Sequence, residues 1–367
     1  MPISSSTTDA PRFMASTWHK RTPSLRQPLS WLAYKLMYKG QQEKRMGKVP
    51  VLSGSLSHTF MVPRALVSLV LLPILIRHFT PYLPSFILFF PAPLLPVLLF
   101  TFAYNLIGIT ILLLINRLCD TYGFFDGAVK RDVIPDAKLN ETMLGVVLLT
   151  VLRPVVGTMM LWNDWETKGA ASGWDLTQWG WWAMGLPFRL LICSVVMDFW
   201  FYVSHRSMHE IPWLWKFHKV VRFAVSLSLP TRELTDNSLF SASHGEASLP
   251  TMSAFGDWEH NFLDSFVIPG LTLITYKVDF GTWWFSALYT LFNESASHSG
   301  VRVLWRAPIG GWVLSLLGMD QCTEDHELHH RLGWRKSFNY GKQTRIWDTI
   351  FGTKGERLET KEEYLQL

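Results

Sequence analysis

The chain has 367 residues, of which 49% are hydrophobic and only 17% are charged. Ordinary soluble domains carry about 25% charged residues, so this composition excludes a largely disordered or highly charged solvated protein and favours a membrane protein. The formal net charge is +5, but the excess lies near the N-terminus rather than in a patch, and we therefore expect no nucleic acid partner. The three cysteines are far apart and odd in number, which excludes a disulfide framework.

Residues 1–58 form a basic segment that precedes the first long apolar stretch. This segment contains nine Lys and Arg residues but only two acids, Asp9 and Glu43. It lacks an apolar region near its start, which argues against a cleaved signal peptide, although its Ser-rich opening leaves a transit peptide as a less favoured alternative. Because basic flanks of membrane spans usually stay in the cytosol, we expect this segment to be cytosolic.

Four stretches are predicted to cross a membrane, because each supplies roughly the 20 mostly apolar residues that a spanning helix needs. They are Phe60–Ile76, Leu95–Ile115, Thr142–Trp162 and Gln178–Val203. Prolines at 91, 93 and 96 should break the apolar stretch before the second span. Three of the spans contain one arginine each, and these side chains should face protein or water rather than lipid: Arg64, Arg153 and Arg189.

The loops between the spans predict their orientation. The loop after the second span is basic, with Lys130, Arg131 and Lys138, whereas acids outnumber Lys168 after the third span. Basic loops remain on the cytosolic side. The N-terminus and the residues after about 204 are therefore predicted to be cytosolic.

Histidines in the second half of the chain have spacings that suit metal binding. His205 and His209 are an i, i+4 pair, so on a helix both imidazoles project from one face. His326 and His330 repeat this spacing, and His329 lies beside them. Imidazoles without nearby thiolates suit iron, zinc or copper, and the candidates exceed the four ligands of one structural zinc. The pattern therefore predicts two metal ions.

Two acids near these histidines are candidates for a supporting role. Asp198 lies about two helical turns before His205, and Asp325 directly precedes His326. Either carboxylate could orient an imidazole by accepting its second N–H, or could instead be a solvated or helix-capping acid. Both interpretations stay open at the level of the sequence.

Several segments resemble the fatty acid hydroxylase/sterol desaturase superfamily of membrane di-iron oxygenases. They are Asp198-Phe-Trp-Phe-Tyr-Val-Ser-His205-Arg-Ser-Met-His209, Trp215-Lys-Phe-His218, His298-Ser-Gly and Glu324-Asp-His326-Glu-Leu-His329-His330. The resemblance covers roughly residues 140–355, and its tail, residues 333–353, is similar to fungal members. It implies a helical fold in the endoplasmic reticulum membrane, a cytosolic di-iron centre, dioxygen as oxidant and a cytochrome b5-type electron donor.

The second histidine motif departs from the family pattern. The family has H-x2-H-H, whereas Val221 and Arg222 occupy the last two positions after His218, and neither side chain binds iron. The family's segment resumes near Leu249, so residues 220–242 are interpreted as an insertion that would leave His244 as a replacement ligand. This insertion is either a natural loop of a diverged paralogue or a translated intron. Sequencing of transcripts across the junction would distinguish these two alternatives.

The sequence predicts an all-α polytopic membrane protein with about four spans, a re-entrant segment or short helical hairpin over Val267–Phe292, and a cytosolic histidine-rich cap. The predicted divisions are a basic segment 1–58, membrane helices 59–140, a di-metal domain 141–355 and a charged tail 356–367. The ligands that the resemblance and spacing predict for two iron ions, with zinc as a substitute in purified protein, are His205, His209, His218, His244, His298, His326, His329 and His330.

The predicted function is oxygen-dependent hydroxylation or desaturation of a lipid, sterol or terpenoid. A catalytically inactive relative that acts as a membrane scaffold or lipid-binding protein is the alternative, because the second histidine motif is altered. A metal transporter is less favoured, since transport requires polar residues inside the spans and these histidines lie outside them.

Overall fold

The computed structural model describes residues 46–52, 55–82, 94–125, 144–168, 175–214, 261–305, 310–331 and 337–366. The predicted ligands His218 and His244, and the predicted insertion 220–242, lie outside these ranges. The described residues are mainly helical, as predicted.

The bounds of the elements are as follows. The helices are α1 Ser55–Phe79, α2 Leu94–Tyr122, α3 Arg153–Lys168, α4 Leu176–Glu210, α5 Ile268–Thr275, α6 Phe280–Ser297, α7 Gly311–Leu316, α8 Thr323–Arg331 and α9 Ile346–Ile350. The π-helical turns Leu148–Leu152 and Leu263–Val267 lead into α3 and α5. The strands are β1 Val49–Leu52, β2 Leu304–Trp305 and β3 Leu365–Gln366.

Four helical segments are long and apolar enough to cross a membrane, and each overlaps one predicted span. They are Phe60–Tyr82, Leu94–Tyr122, Leu144–Trp165 and Leu176–Glu210. The shortest of them has 22 residues and is about 33 Å long, which exceeds the hydrocarbon core of a bilayer. Pro96 lies in the first turn of α2, where its missing N–H removes no helical hydrogen bond. The predicted four-span architecture is confirmed.

The helical hairpin predicted over Val267–Phe292 is present. Helix α5 ends at Thr275, and α6 begins after Asp279, whose side chain accepts a hydrogen bond from the Thr282 N–H at 2.9 Å. Asp279 also accepts from the indole of Trp182 near the start of α4, whereas His298 at the end of α6 lies beside the histidines of α8. The hairpin therefore returns the chain to the histidine end of the bundle.

Helix α6 lies at the centre of the bundle. Nearly every side chain along it is buried, and the helix packs against α1, α2, α3, α4 and α8. Bulky aromatic rings fill the space around its first turns. Gly157 of α3 packs directly against the ring of Trp283, where a Cβ atom would clash. The ends of this helix are consequently fixed relative to the spans that surround it.

A small parallel sheet with strand order β2, β1, β3 is an addition to the predicted all-α fold. It joins the end of the basic N-terminal segment to the last residues of the chain. Glu359, in the predicted charged tail, forms an ion pair of 2.7 Å with Arg302 just before β2. The tail therefore packs against the helical domain. Strands of two to four residues are too short to produce a periodic sequence signal.

Candidate metal centre

Six of the eight predicted ligands lie together in two groups of three. The first group, the α4 triad, consists of His205, His209 and His329, and the second, the α6 triad, consists of His298, His326 and His330. In each triad, one candidate ligand nitrogen from every imidazole lies within 4.8 Å of the others. The predicted set of eight remains a prediction, because His218 and His244 lie outside the described residues.

Helix α8 contributes to both triads. His326 and His330 are one turn apart and face His298 at the end of α6, with ring centroids 4.3 and 5.2 Å from it. His329 points to the other side, toward His205 of α4, with ring centroids 4.4 Å apart. The rings of His326 and His329 are nearly parallel and 5.7 Å apart. The two triads are therefore direct neighbours.

Backbone carbonyls fix the orientation of three rings. The Nδ1 atoms of His205, His298 and His329 lie 2.9, 2.8 and 2.7 Å from the carbonyl oxygens of Tyr340, Glu294 and Phe338, respectively. A carbonyl can only accept a hydrogen bond, so each Nδ1 carries the proton and each Nε2 keeps its lone pair. This is the arrangement in which protein partners orient a metal-binding imidazole.

The Nε2 atoms of the α6 triad converge on one point. The Nε2 of His326 lies 3.0 Å from the Nε2 of His298 and 3.0 Å from that of His330. Three imidazole nitrogens directed at one another, from buried His298 and His326 and partly buried His330, suit a shared cation, and the donor set is one that iron and zinc accept. The residues present therefore fit a pair of nitrogen-ligated metal ions.

The electrostatics favour neutral imidazoles. Burial, followed by the neighbouring rings of His298 and His330, holds the pKa of His326 well below its usual value. Burial and then His209 and His330 have the same effect on the pKa of His329. Because neutral imidazole is the form that binds metals, His326 and His329 are in their metal-binding form at neutral pH.

Asp198 acts on a loop rather than on an imidazole. Its buried carboxylate accepts hydrogen bonds from the backbone N–H groups of residues 342–344 at 2.8 to 3.2 Å and from the Thr344 hydroxyl at 2.6 Å. The same loop provides the Tyr340 carbonyl that holds His205. Asp198 therefore supports the α4 triad indirectly, a role that differs from both interpretations left open by the sequence, direct contact with an imidazole and a solvated or capping acid.

Asp325 caps the start of α8, where it accepts a hydrogen bond from the Cys322 N–H at 2.9 Å, and it also forms ion pairs with arginine side chains. It accepts two hydrogen bonds from the guanidinium of Arg357, at 2.9 and 2.7 Å, and lies 3.2 Å from Arg345. Burial alone would raise the pKa of Asp325, but Arg357 and then Arg345 outweigh it and lower that pKa. Glu324 beside it accepts backbone hydrogen bonds from residues 358–360. The C-terminal tail is thus fastened to the helix that carries three of the ligands.

A partly buried ion-pair cluster beside the α6 triad is not apparent from the sequence. The Lys342 ammonium donates to Asp264 at 2.9 Å and to Glu294 at 2.8 Å. Burial opposes the charge of Lys342, but these two carboxylates outweigh it and raise the pKa of Lys342. Glu294 also lies 3.6 Å from Nδ1 of His298. Only the i, i+4 spacing of Glu294 and His298 is a local signal, because Asp264 and Lys342 are 78 residues apart.

Comparisons with known proteins agree with this centre. Residues 242–353 match the family model of the fatty acid hydroxylases. The chain is also 37% identical over 188 residues to the fatty acid hydroxylase vlmA of a Lecanicillium species, an alignment that covers 49% of this chain and 45% of that protein. No solved structure gives a significant match. The two matches support the assignment of the chain to the fatty acid hydroxylase superfamily, as the histidine motifs predict.

The extent of these matches differs from the extent of the site. The chain aligns with less than half the length of the curated relative. The family match begins at residue 242, so His205 and His209 precede it although they share a triad with His329. The centre therefore extends beyond the region that the family match identifies.

Proposed function

We propose that the chain is a membrane-bound di-iron oxidoreductase that hydroxylates or desaturates a lipid, sterol or terpenoid substrate with dioxygen. The observation that carries this proposal is the presence of two adjacent, largely buried histidine triads at one end of a bundle of membrane-length helices. The relationship to fatty acid hydroxylases supports an oxygenase that acts on lipids.

The α4 triad would hold one iron ion and the α6 triad the other, with His218 and His244 as further proposed ligands. Bound iron would supply the activation of dioxygen and the attack on an unactivated C–H bond, which side chains alone do not perform. The carbonyls of Phe338 and Tyr340 keep the protons of His329 and His205 on Nδ1. Lys342, Asp264 and Glu294 hold the end of α6 in place through partly buried ion pairs.

The surroundings of the triads suit a hydrophobic substrate that arrives from the bilayer. The residues of α4 that precede His205 form an apolar helix of membrane length, so a substrate dissolved in the bilayer would lie beside the helix that carries the first histidine pair. We place the histidine end at the cytosolic face of the endoplasmic reticulum, with a cytochrome b5-type protein as electron donor. The basic N-terminal segment and the superfamily relationship support this placement.

A catalytically inactive relative is the second candidate, and a specific observation favours it. Val221 and Arg222 stand where the second histidine motif should supply ligands. The family match starts at residue 242, directly at the end of the proposed insertion, which supports an interruption of the family domain at 220–242. An inactive chain would retain the fold and would bind lipid without converting it.

Turnover under oxygen-18 separates the two candidates. The full chain, loaded with iron and supplied with a cytochrome b5 reductase system, is incubated with a fungal lipid extract, and products are analysed by mass spectrometry. We expect a product that has gained one oxygen-18 atom, or one that has lost two hydrogens, from the wild type and from a His78→Ala control. We expect neither product from His329→Ala. Metal binding without any product in the wild type would favour the inactive relative.

A further inference from the structure

The loop between α8 and α9 lies against the α4 triad. The ring of Tyr340 packs against all three imidazoles of this triad, with centroids 5.2 to 5.7 Å apart. The Phe338 carbonyl faces Nδ1 of His329, and the Tyr340 carbonyl faces Nδ1 of His205. Two carbonyls of one short loop therefore orient rings that belong to two different helices, α8 and α4. The residue between these carbonyls is Asn339.

Asn339 has a backbone conformation that residues with a Cβ atom rarely adopt. Its φ is +56°, and in the described parts of the chain it is the only residue other than glycine with a positive φ. Asparagine tolerates this left-handed region better than most residues, whose φ is about −60° to −140°. Such a change of φ would rotate the chain after Asn339 by at least about 120° relative to the Phe338 carbonyl. The two carbonyls would then no longer face the two rings.

Hydrogen bonds on two sides hold Asn339 in this conformation. The side chain is 1% exposed; its Nδ2 donates to the Asp325 carbonyl at 3.0 Å, and its Oδ1 accepts from the Gly355 N–H at 2.8 Å. The backbone N–H of Asn339 donates to the Thr353 carbonyl at 3.0 Å. Asp325 lies in the first turn of α8, the helix that carries His329. The start of the loop is thus fixed relative to α8.

The part of the loop after Asn339 is anchored to other helices. Asp348 of α9 accepts hydrogen bonds from the N–H groups of Tyr340 and Gly341 at 2.8 and 2.9 Å. Asp198 of α4 accepts from further N–H groups of the loop. The left-handed turn therefore joins a segment held by α8 to a segment held by α4 and α9.

The hydroxyl of Ser337 adds a second acceptor at one of the two rings. It lies 2.9 Å from Nδ1 of His329 and donates its own proton to the His329 carbonyl at 3.0 Å. A hydroxyl that has donated its proton can only accept from Nδ1. Both groups that face this Nδ1 therefore favour a proton on it.

We propose that Asn339 is a positioning residue of the α4 triad. Its left-handed conformation directs the Phe338 and Tyr340 carbonyls to His329 and His205, so that both rings keep their proton on Nδ1 and present Nε2 to a metal ion. A residue that is held in a sparsely populated conformation beside a site often contributes to its organisation. The inference rests on the proposed function only for the metal ion that Nε2 would bind.

Nitrogen-15 NMR of the imidazoles tests this role without metal or turnover. The full chain is labelled with nitrogen-15 histidine and studied metal-free in lipid nanodiscs, and His205→Gln and His329→Gln assign the two signals. We expect both rings to carry Nδ1–H in the wild type and in Asn339→Gly, and at least one ring to lose it in Asn339→Ala. Both variants lack the side-chain hydrogen bonds, but only alanine resists the left-handed region, so their difference isolates the backbone conformation.

Gly318→Ala is the matched control for this comparison. Gly318 has a φ of +63°, and an added Cβ would meet only the flexible end of Lys354 at 3.3 Å. This variant introduces the same unfavourable conformation of alanine outside the loop. We expect a lower temperature of thermal unfolding with Nδ1–H retained on both rings.

Zinc affinity measures the consequence for the triad. In a His298→Ala background, which removes a ligand of the α6 triad, zinc binding is measured by competition with a chelator. Loss of an orienting partner weakens metal binding by about 10–100-fold, and we expect this change for Asn339→Ala. Asn339→Gly should bind zinc as tightly as the background chain.

Several results would overturn the inference. Nδ1–H on both rings of Asn339→Ala would show that the turn does not direct the carbonyls, and equal losses in the Gly and Ala variants would assign the effect to the side chain. If Asn339→Ala does not fold, as judged by thermal unfolding, Asn339→Ser takes its place, because serine also has a Cβ. A wild type with Nδ1–H on both rings that binds no zinc would refute the proposed metal centre but not the positioning of the rings.

Discussion

The two ends of the helical bundle are built by different means, although α4 and α6 run through both. At the end where α6 begins, aromatic rings pack together, with Trp162 and Phe280 at 5.3 Å and Trp165 and Trp182 at 5.5 Å between centroids. At the histidine end, buried carboxylates, cations and backbone carbonyls position the imidazoles. Apolar packing holds the helices against one another, whereas the polar network orients the imidazole rings, three of them through backbone carbonyls.

The contrast implies that one end tolerates moderate change and the other does not. Aromatic packing loses stability in proportion to the contacts removed, because no charge is left uncompensated. A buried polar network fails at a single deletion, since the remaining partners stay buried without compensation. Substitutions at the histidine end should therefore affect metal binding and stability together, and those at the aromatic end only stability.

The largest effect is expected for Lys342→Met. Removal of this buried cation takes away the ammonium group that contacts both of the partly buried carboxylates of Asp264 and Glu294. We expect the free energy of unfolding to fall by about 3–5 kcal/mol. We also expect the α6 triad to lose its metal. Thermal unfolding and metal analysis measure both, with Lys277→Met, an exposed lysine in the hairpin turn, as the matched control. Equal behaviour of the two variants would contradict the role of the ion-pair cluster.

Asp198→Ala should have the second largest effect. The substitution leaves three backbone N–H groups of residues 342–344 without their acceptor, at a cost of about 2–4 kcal/mol. Since the loop then loses its anchor, the Tyr340 carbonyl should no longer hold His205, and the α4 triad should bind metal more weakly. Asp198→Asn keeps one oxygen and should lose less. A normal metal content in Asp198→Ala would show that the loop stays in place without the carboxylate.

Trp162→Phe tests the aromatic end and should have a smaller effect. Trp162 is 1% exposed and packs edge-on against Phe280. We expect a loss of about 1–2 kcal/mol with both metals retained, because the ring that replaces the indole still fills most of the space. Loss of metal from this variant would mean that the two ends are not independent.

The smallest effect is expected when the wild-type chain is treated with an alkylating reagent directed at Cys322. This thiol lies at the histidine end against Thr360 of the tail. Burial raises the pKa of Cys322 to about 12. The reactive thiolate is therefore scarce at pH 8, and iodoacetamide should leave this thiol unmodified in the folded chain and alkylate it after denaturation. Mass spectrometry of the peptide gives the result. Arg357→Ala, which releases the tail from Asp325, should make the thiol reactive, and rapid alkylation of the wild type would contradict a docked tail.

The sequence predicts those features that have a local signal. Apolar length identifies the four spans, and the i, i+4 spacing of His205 with His209 and of His326 with His330 identifies two ligand pairs. The interruption around Lys277 identifies the hairpin. These properties are encoded within one helix or one turn, so they can be derived without knowledge of the fold.

The features that the sequence does not reveal depend on residues far apart in the chain. Asp198 is recognisable as a candidate, but its partners in the loop are 144 to 146 residues away, so its role cannot be derived from spacing. The ion pair of Lys342 with Asp264 and the small parallel sheet are equally remote contacts. The orienting carbonyls of Phe338 and Tyr340 belong to the backbone, which has no residue-specific signature.

The central claim is that the two triads form two separate metal sites, and the metal content of single-triad variants tests it most directly. Iron and zinc per polypeptide are measured by elemental analysis for the purified full chain, His205→Ala, His298→Ala, the double variant and His78→Ala. We predict about two ions in the wild type and in His78→Ala, about one in each single variant and none in the double variant. Less than half an ion per wild-type chain, or a content that the single variants leave unchanged, would contradict the claim.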